Sequence, residues 1–227
     1  MKIILLVPYR KRKVHLEYFL KNTWPRLKRE TPTMEMIVVK QLEGKNFNRA
    51  LMLNIGYRYY NNKEYYYITQ DIDVNPISDT MYNMYKTDVE ENVFFSIYSD
   101  SRTLGGIVKF KGGTFEKVNG FPNDYWGWGH EDKDMADRAH SFKCRIERFL
   151  KHDESNKLKK HFKIFYDRPE GKRLECDKYG RAYVWLNQIS HGEKRKYFKS
   201  NGLTTMKYKV LKKETLMEGV VKITVQV

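Results

Sequence analysis

Ile3-Ile4-Leu5-Leu6-Val7 is an unbroken apolar run, and Pro8-Tyr9-Arg10 follows it directly. A short run rich in β-branched residues predicts a strand buried on both faces. Outward from this run, the pattern predicts a helix over 15–27, a second buried strand over 36–39, a helix over 47–60 and a third strand over 65–68. This alternation predicts an α/β fold with a mainly parallel central sheet.

Further along the chain the predicted elements are shorter. They are a helix over 77–86, strands over 93–98 and 106–110, a helix over 131–140 and a strand over 144–149. The stretch 153–180 is polar, basic and weakly patterned, so we expect a long loop or an insertion there, of the kind that often forms a lid. With no internal repeat and no low-complexity linker, we expect a single domain over 1–227.

The composition is that of a globular protein with an excess of positive charge. Of the 227 residues, 41% are hydrophobic and 31% are charged, which argues against disorder. The net charge of +15 favours anionic partners such as a nucleotide diphosphate, an acidic polymer, an anionic membrane surface or nucleic acid. A merely solvated basic surface is the alternative.

Cysteine content and hydropathy bear on the cellular compartment. Two cysteines, Cys144 and Cys176, cannot form a disulfide framework, so we expect a reducing compartment. The apolar run 3–7 is too short for a signal peptide, and no segment approaches the roughly 20 apolar residues of a membrane span. We therefore expect a soluble cytoplasmic, viral or bacterial protein without a transmembrane segment.

Asp71 and Asp73 follow the third predicted strand as an Asp-x-Asp pair. Ligands of α/β sheets bind beyond the carboxyl ends of the strands, where Pro8-Tyr9-Arg10 is also expected. Two carboxylates there can hold a hard divalent cation against a diphosphate. A solvent-facing turn is the alternative. Neither a Walker nor a dinucleotide-binding glycine motif is present, which disfavours those modes of nucleotide binding.

The segment Tyr125-Trp126-Gly127-Trp128-Gly129-His130-Glu131-Asp132 is far less common by chance. An indole face stacks on a sugar ring, glycine allows close approach of a ligand, and a neighbouring carboxylate can accept a hydroxyl proton. The alternative is a tryptophan pair that caps the core ahead of an acidic helix N-terminus.

Together these motifs resemble the β-1,4-galactosyltransferase family. The matching segments keep the family's order along almost the whole chain: Val7-Pro8-Tyr9-Arg10-Lys11-Arg12, Phe47-Asn48-Arg49-Ala50, Asp71-Ile72-Asp73, Gly105-Gly106, residues 118–129 with Glu131-Asp132, and more faintly Ser200-Asn201-Gly202-Leu203.

The resemblance implies a GT-A-like fold, a UDP-sugar donor, Mn²⁺ and inversion at the anomeric carbon. It implies a nucleotide-binding half over 1–100 and an acceptor and lid half over 101–227. The positions that match the donor-binding residues are Pro8, Tyr9, Arg10, Arg12, Phe47, Arg49, Asp71, Thr103, Gly106 and Trp128. Asp132 matches the catalytic base, with Glu131 beside it, and Asp73 matches a metal ligand.

The chain also departs from the family pattern. Ungapped alignment from Glu131 puts His161 at the family's second metal ligand, with Leu158 in place of a methionine; His152 is a rival ligand, and the choice stays open. Lys133 stands where the family usually has a third acid, and His130 replaces a common glycine.

Thr103 stands where galactose-transferring members carry Tyr. A smaller side chain leaves room for an acetamido group, so we predict that UDP-GalNAc is used at least as well as UDP-Gal. The alternative is that Arg102 refills the space.

The sequence thus predicts an inverting, Mn²⁺-dependent glycosyltransferase that moves Gal or GalNAc from a UDP-sugar to a hydroxyl of a glycan or glycoconjugate. A catalytically inactive carbohydrate- or nucleotide-binding module is the alternative. A basic nucleic-acid-binding protein is disfavoured because no nucleic-acid-binding motif or basic stripe is found.

Overall fold

A computed structural model describes residues 1–127, 129–149, 160–165 and 186–227. The strands are β1 (Ile3–Tyr9), β2 (Glu35–Gln41), β3 (Tyr66–Thr69), β4 (Val74–Pro76), β5 (Val93–Tyr98), β6 (Ile107–Lys111), β7 (Arg145–Arg148), β8 (Phe162–Ile164), β9 (Lys209–Met217) and β10 (Val220–Gln226). The helices are α1 (Lys13–Tyr18), α2 (Trp24–Glu30), α3 (Arg49–Tyr60), α4 (Asp79–Lys86), α5 (Gly112–Lys117), α6 (Glu131–Ser141) and α7 (His191–Ser200).

One large sheet organises the described residues. Its eight strands follow the order β7-β5-β6-β3-β1-β2-β10-β9. The four central strands β3, β1, β2 and β10 are mutually parallel, and β7 pairs in parallel with β5. Antiparallel pairs join β6 to β3 and β5, and β9 to β10. The predicted α/β class with a mainly parallel centre is confirmed.

Strand β1 is buried on both faces, as its sequence predicts. Ile3, Leu5 and Val7 pack into one hydrophobic cluster, while Ile4 and Leu6 pack into a second cluster on the other face. All five side chains are fully buried, and each contributes roughly 1.5–3 kcal/mol of transfer free energy. The sheet is therefore the middle layer of the molecule, which holds the ends of its parallel strands in fixed positions.

Helix α3 lies against β1 and β2. It begins after Asn48, whose side chain accepts a hydrogen bond from the Leu51 N–H. Gly56 lets the helix approach the sheet closely, because an added Cβ would lie 3.2 Å from Leu6 and 3.3 Å from Val39. The start of α3 carries Arg49 toward the carboxyl ends of the central strands.

Three regions differ from the sequence-based expectation. The helix predicted over 15–27 consists of α1, a π-helical turn at Phe19–Thr23 and α2; Pro25, which has no N–H to donate, lies just after that turn. Part of the predicted 153–180 loop is strand β8, which pairs with β4 and buries Phe162; residues 153–159 and 166–180 lie outside the described residues. The β9–β10 hairpin was not predicted, because β9 is almost wholly exposed and lacks a buried alternation.

None of the helices in the described residues has the length and apolar character needed to cross a membrane.

Candidate active site

The Asp-x-Asp segment is a tight turn that connects β3 to β4. The Val74 N–H donates to the Asp71 carbonyl at 3.0 Å, which closes the turn. Just before it, the Gln70 N–H donates to the Leu6 carbonyl at 2.9 Å, so the turn lies beside the end of β1. The structure thus brings Asp71 and Asp73 close to the Pro8-Tyr9-Arg10 segment, as predicted from the parallel sheet.

The side chain of Gln70 holds this turn in place. The sequence pattern had not singled out this residue. Its fully buried amide donates to the carbonyls of Asp71 at 3.0 Å and Val74 at 2.8 Å. Its own carbonyl accepts from the hydroxyl of the equally buried Tyr85 at 2.5 Å. Because every polar atom of the amide is used, the turn is held in one conformation. A glutamine between a strand and two acids was the available sequence signal.

Arg49 connects the Asp-x-Asp turn to the start of α6. Its Nε donates to Asp71 Oδ1 at 2.8 Å, and its Nη1 lies 3.7 Å from Glu131 Oε1. Burial disfavours the charge of Arg49, but the Asp71 and Glu131 carboxylates outweigh that effect and raise its pKa. Glu131 is 82 positions away in the sequence, so this convergence is a product of the tertiary fold.

The outer nitrogens of Arg49 have unused hydrogen-bonding capacity. Nη1 and Nη2 are both buried, and neither makes a hydrogen bond to any of the described residues. An arginine fork with free donors matches the geometry of phosphate oxygens. Nη1 has only the long ion pair with Glu131, and a buried donor without a hydrogen bond is costly, so this fork has donors left for an anionic ligand.

A second arginine, Arg12, pairs with Asp73, the second acid of the Asp-x-Asp turn. Arg12 Nη1 donates to Asp73 Oδ2 at 2.9 Å, and both side chains remain about a quarter exposed. Arg10 lies over the Phe47 ring at 5.4 Å and donates to the Lys45 carbonyl at 2.5 Å. Tyr9 and Pro8 end β1 at the same edge. The structure therefore gathers the predicted nucleotide-contacting residues around one acidic turn.

Asp132 lies in the first turn of α6, against the segment that leads into β6. The Leu104 N–H donates to the Asp132 carbonyl at 2.9 Å. An added Cβ on Gly105 would lie 2.9 Å from Asp132 Oδ2, so any other residue here would force this carboxylate to shift. Gly106 has φ +66°, and a side chain there would meet the Tyr98 carbonyl at 2.4 Å. Close backbone packing thus forms one wall beside Asp132.

Two carboxyl groups beside Arg49, those of Glu131 and Asp71, have raised pKa values. Burial, and then the neighbouring Asp132 carboxylate, raise the pKa of Glu131 to about 7. Burial also raises the pKa of Asp71, against the opposing effect of Arg49. Carboxylates with perturbed pKa values that share one arginine are typical of functional sites.

The aromatic segment before α6 is anchored at several points. The Tyr125 hydroxyl donates to the buried Asp134 at 3.0 Å. The Gly127 N–H donates to the Phe47 carbonyl at 2.7 Å, and Lys45 lies over the Trp126 ring at 5.1 Å. The predicted sugar-stacking residue Trp128 lies outside the described residues.

Thr103 is buried at the end of a turn ahead of Gly105-Gly106. Its N–H donates to the Asp100 carbonyl at 3.2 Å, and Arg102 next to it is exposed. Arg102 is therefore held outside the turn, which argues against its refilling the space left by the small Thr103 side chain.

His161 is not brought to the Asp-x-Asp turn. Its Nδ1 lies 2.8 Å from Ser78 Oγ, and its carbonyl accepts from the Ile77 N–H. The β4–β8 pairing instead puts Phe165 beside Asp73, so His161 is four residues away along the strand, about 13 Å at ~3.3 Å per residue. This placement argues against His161 as a ligand of an ion bound at Asp73. The rival His152 lies outside the described residues.

The described residues offer part of a metal-binding donor set. They contain no group of three or more His, Cys, Asp or Glu side chains placed to share an ion. Asp73, partly exposed at the rim of the turn, supplies carboxylate oxygens of the kind that hard divalent cations bind. Asp73 would hold such an ion, which would supply positive charge to the site, and Arg12 would then have to release or share this carboxylate.

Comparison with known protein families supports the resemblance found in the sequence. A model of the N-terminal region of glycosyl transferase group 7 matches residues 1–88. A model described as the N-terminal domain of galactosyltransferase matches residues 88–163. The two matches adjoin and together span every segment of the site described above.

Individual β-1,4-galactosyltransferases are similar in sequence to this chain. The human β-1,4-galactosyltransferase 4 is 31% identical over 224 residues, and the match covers 94% of this chain and 60% of the relative. The bovine β-1,4-galactosyltransferase 1 is 32% identical over 145 residues, 60% of this chain and 36% of the relative. The chain thus spans about three fifths of the length of the first of these.

Solved structures agree with the fold. The catalytic domain of Drosophila β-1,4-galactosyltransferase 7 in complex with xylobiose superposes with a TM-score of 0.75 at 24% identity, covering 100% of this chain and 94% of that one. A mutant of that enzyme in complex with manganese, UDP-Gal and xylobiose gives 0.76 at 23%, with the same coverage. The predicted GT-A-like fold is confirmed, and the chain belongs to the β-1,4-galactosyltransferase family of group 7 glycosyltransferases.

Proposed function

We propose that this chain is an inverting hexosyltransferase that moves Gal or GalNAc from a UDP-sugar to a hydroxyl of a glycan or glycoconjugate, with Mn²⁺ as its metal. One observation carries the proposal: Arg49 contacts both Asp71 of the Asp-x-Asp turn and Glu131 beside Asp132. A phosphate-binding end and a proton-accepting end therefore share one crevice.

The donor diphosphate binds at the arginines. The unused Nη1 and Nη2 of Arg49 donate to its oxygens, and Arg10 and Arg12 line the same edge. Bound Mn²⁺, held by Asp73, supplies charge that stabilises the leaving diphosphate. The partly buried Phe47 offers a flat surface next to these charges for the uracil base.

Asp132 accepts the proton from the acceptor hydroxyl as that oxygen attacks the anomeric carbon. The bond to the diphosphate breaks on the opposite face, so one displacement inverts the configuration and one base suffices. A second carboxylate acting as a nucleophile would be needed only for retention, by analogy with glycoside hydrolases.

Glu131 has a separate role in this proposal. Burial and the adjacent Asp132 carboxylate raise its pKa and so favour its protonated form, which can donate a hydrogen bond. Two adjacent carboxyl groups in different environments take different roles, one as acceptor and one as donor. Glu131 thus orients the acceptor while Asp132 removes the proton.

Donor choice depends on Thr103. Its small side chain and the outward position of Arg102 support use of UDP-GalNAc alongside UDP-Gal. The acceptor is a glycan hydroxyl; the Drosophila neighbours were solved with xylobiose. Lys133, in place of an acid next to Asp132, adds positive charge beside the proposed acceptor site and so favours a neutral or anionic acceptor over a cationic one.

A panel of UDP-sugars and glycan acceptors tests the proposal by UDP release and product mass. We expect transfer with UDP-Gal or UDP-GalNAc and Mn²⁺, and none with EDTA. In parallel, UDP with Mn²⁺ should raise the melting temperature more than UDP with EDTA, because a ligand that binds only the folded state stabilises it. Stabilisation without transfer from any donor would identify an inactive binding module instead.

A further inference from the structure

Residues 99–103, here called the 99–103 loop, connect β5 to the segment that packs against Asp132. Thr103 ends the loop, and the next two residues make the contacts with Asp132: the Leu104 N–H with its carbonyl, and Gly105 with its carboxylate. The shape of this loop therefore decides where the wall beside Asp132 lies.

A single side chain from the neighbouring strand β7 closes the 99–103 loop. Arg148 Nη1 donates to Ser99 Oγ at 2.6 Å, to the Asp100 carbonyl at 3.0 Å and to the Thr103 carbonyl at 2.9 Å. These acceptors lie at the two ends of the loop, so one guanidinium group draws its ends together. Ser99 adds its own contacts to the same two carbonyls, each at 3.2 Å.

The clamp is partly buried, and the backbone that carries Arg148 is held by strand pairing. Burial lowers the pKa of Arg148, although Asp100 partly offsets this effect. The backbone around Arg148 is fixed by pairing with Ser96 on β5 and by the Phe149 N–H, which donates to the Ser96 carbonyl at 2.9 Å. Hydrogen bonds from a charged donor are stronger than neutral ones.

We propose that Arg148 is a positioning residue for the reaction: it holds the 99–103 loop closed and thereby fixes the Leu104–Gly105 wall that sets the position of the Asp132 carboxylate. This inference rests on the proposed function of Asp132. The hydrogen bonds of Arg148 go to the 99–103 loop, so its loss should affect turnover more than the binding of UDP, which is assigned to the arginines at the Asp-x-Asp turn.

The test compares Arg148→Ala and Arg148→Lys with Arg145→Ala as matched control. Arg145 lies on the same strand, but it is exposed and pairs with Glu90. For Arg148→Ala we expect kcat to fall on the order of tenfold while the affinity for UDP with Mn²⁺ changes less than about twofold, since an interaction that only aligns the reacting groups lowers kcat selectively. Arg148→Lys should recover most of the loss, because an ammonium can still donate to the same carbonyls.

Amide hydrogen exchange is a second measurement, and it does not depend on catalytic activity. Exchange at Thr103 and Leu104 should speed up on the order of tenfold in Arg148→Ala, and less in the Lys variant, with Arg145→Ala unchanged. Unchanged exchange, an equal loss of kcat and of UDP affinity in Arg148→Ala, or a loss of kcat in Arg148→Lys as large as that in Arg148→Ala overturns the positioning role. If the wild-type protein transfers no sugar from any UDP donor, the proposed function fails, and the exchange comparison still decides whether Arg148 holds the loop.

Discussion

Substituting Gly105 by Ala should lower the turnover of the enzyme while leaving its melting temperature nearly unchanged. The added methyl group would lie 2.9 Å from Asp132 Oδ2, whereas ordinary contact begins at 3.4 Å. The carboxylate must therefore move by about 0.5 Å, the difference between those distances. Oδ2 is the end of a side chain, so it can move at little cost. Gly105 also has no left-handed φ that would strain an alanine.

The magnitude follows from the sensitivity of catalysis to geometry. A displacement of ~1 Å can lower a rate by about a hundredfold, so ~0.5 Å should lower turnover by about tenfold. The melting temperature should stay close to that of the wild-type protein. Both quantities are measured directly, by UDP release with donor, Mn²⁺ and acceptor, and by thermal unfolding.

Gly113→Ala is the matched control. Its methyl group would lie 2.8 Å from Glu91 Oε1, also the end of a carboxylate side chain. Gly113 follows β6, whose last residue pairs with Tyr66 at the opposite end of β3 from Asp71. This variant should keep wild-type turnover. If Gly105→Ala also keeps it, or if it unfolds at a much lower temperature, the reasoning about the Asp132 wall is refuted.

Four further substitutions test the proposed roles. Asp132→Asn should keep UDP binding and lower turnover by roughly a hundredfold, the usual contribution of a general base; near-normal turnover removes Asp132 from that role. Asp73→Ala should abolish the extra thermal stabilisation that Mn²⁺ gives with UDP, and a retained Mn²⁺ effect would place the ion elsewhere. The pKa of Glu131 is raised from 4.5 to about 7, so the folded state binds the extra proton and this contribution to stability is lost as pH rises through about 7. Urea unfolding at about pH 5 and about pH 8 should therefore show a smaller loss for Glu131→Gln than for wild type, by at most about 3 kcal/mol at ~1.4 kcal/mol per pKa unit; an equal loss contradicts the assignment. Thr103→Tyr should shift donor preference toward UDP-Gal by roughly 1–3 kcal/mol, and an unchanged ratio of the two donors would exclude Thr103 as the selecting contact.

The sequence by itself determined the class of fold and the order of its motifs. A strand buried on both faces, such as 3–7, has an apolar pattern that is local and can be read without knowing its neighbours. Because parallel strands end at one edge of a sheet, the meeting of Asp71 and Asp73 with the end of β1 was also predictable. The Trp-Gly segment and Glu131-Asp132 were recognisable because their composition is rare.

Only the tertiary structure decided which distant groups touch. Arg49 bridges Asp71 and Glu131, Gln70 and Tyr85 hold the acidic turn, and Arg148 closes the loop beside Asp132. The β4–β8 register likewise carried His161 away from Asp73, although sequence spacing had favoured it. The physical reason is that such contacts depend on strand register and on the order of strands in the sheet, which arise from packing of the whole core. Neither strand register nor strand order can be inferred from local periodicity or from motif spacing.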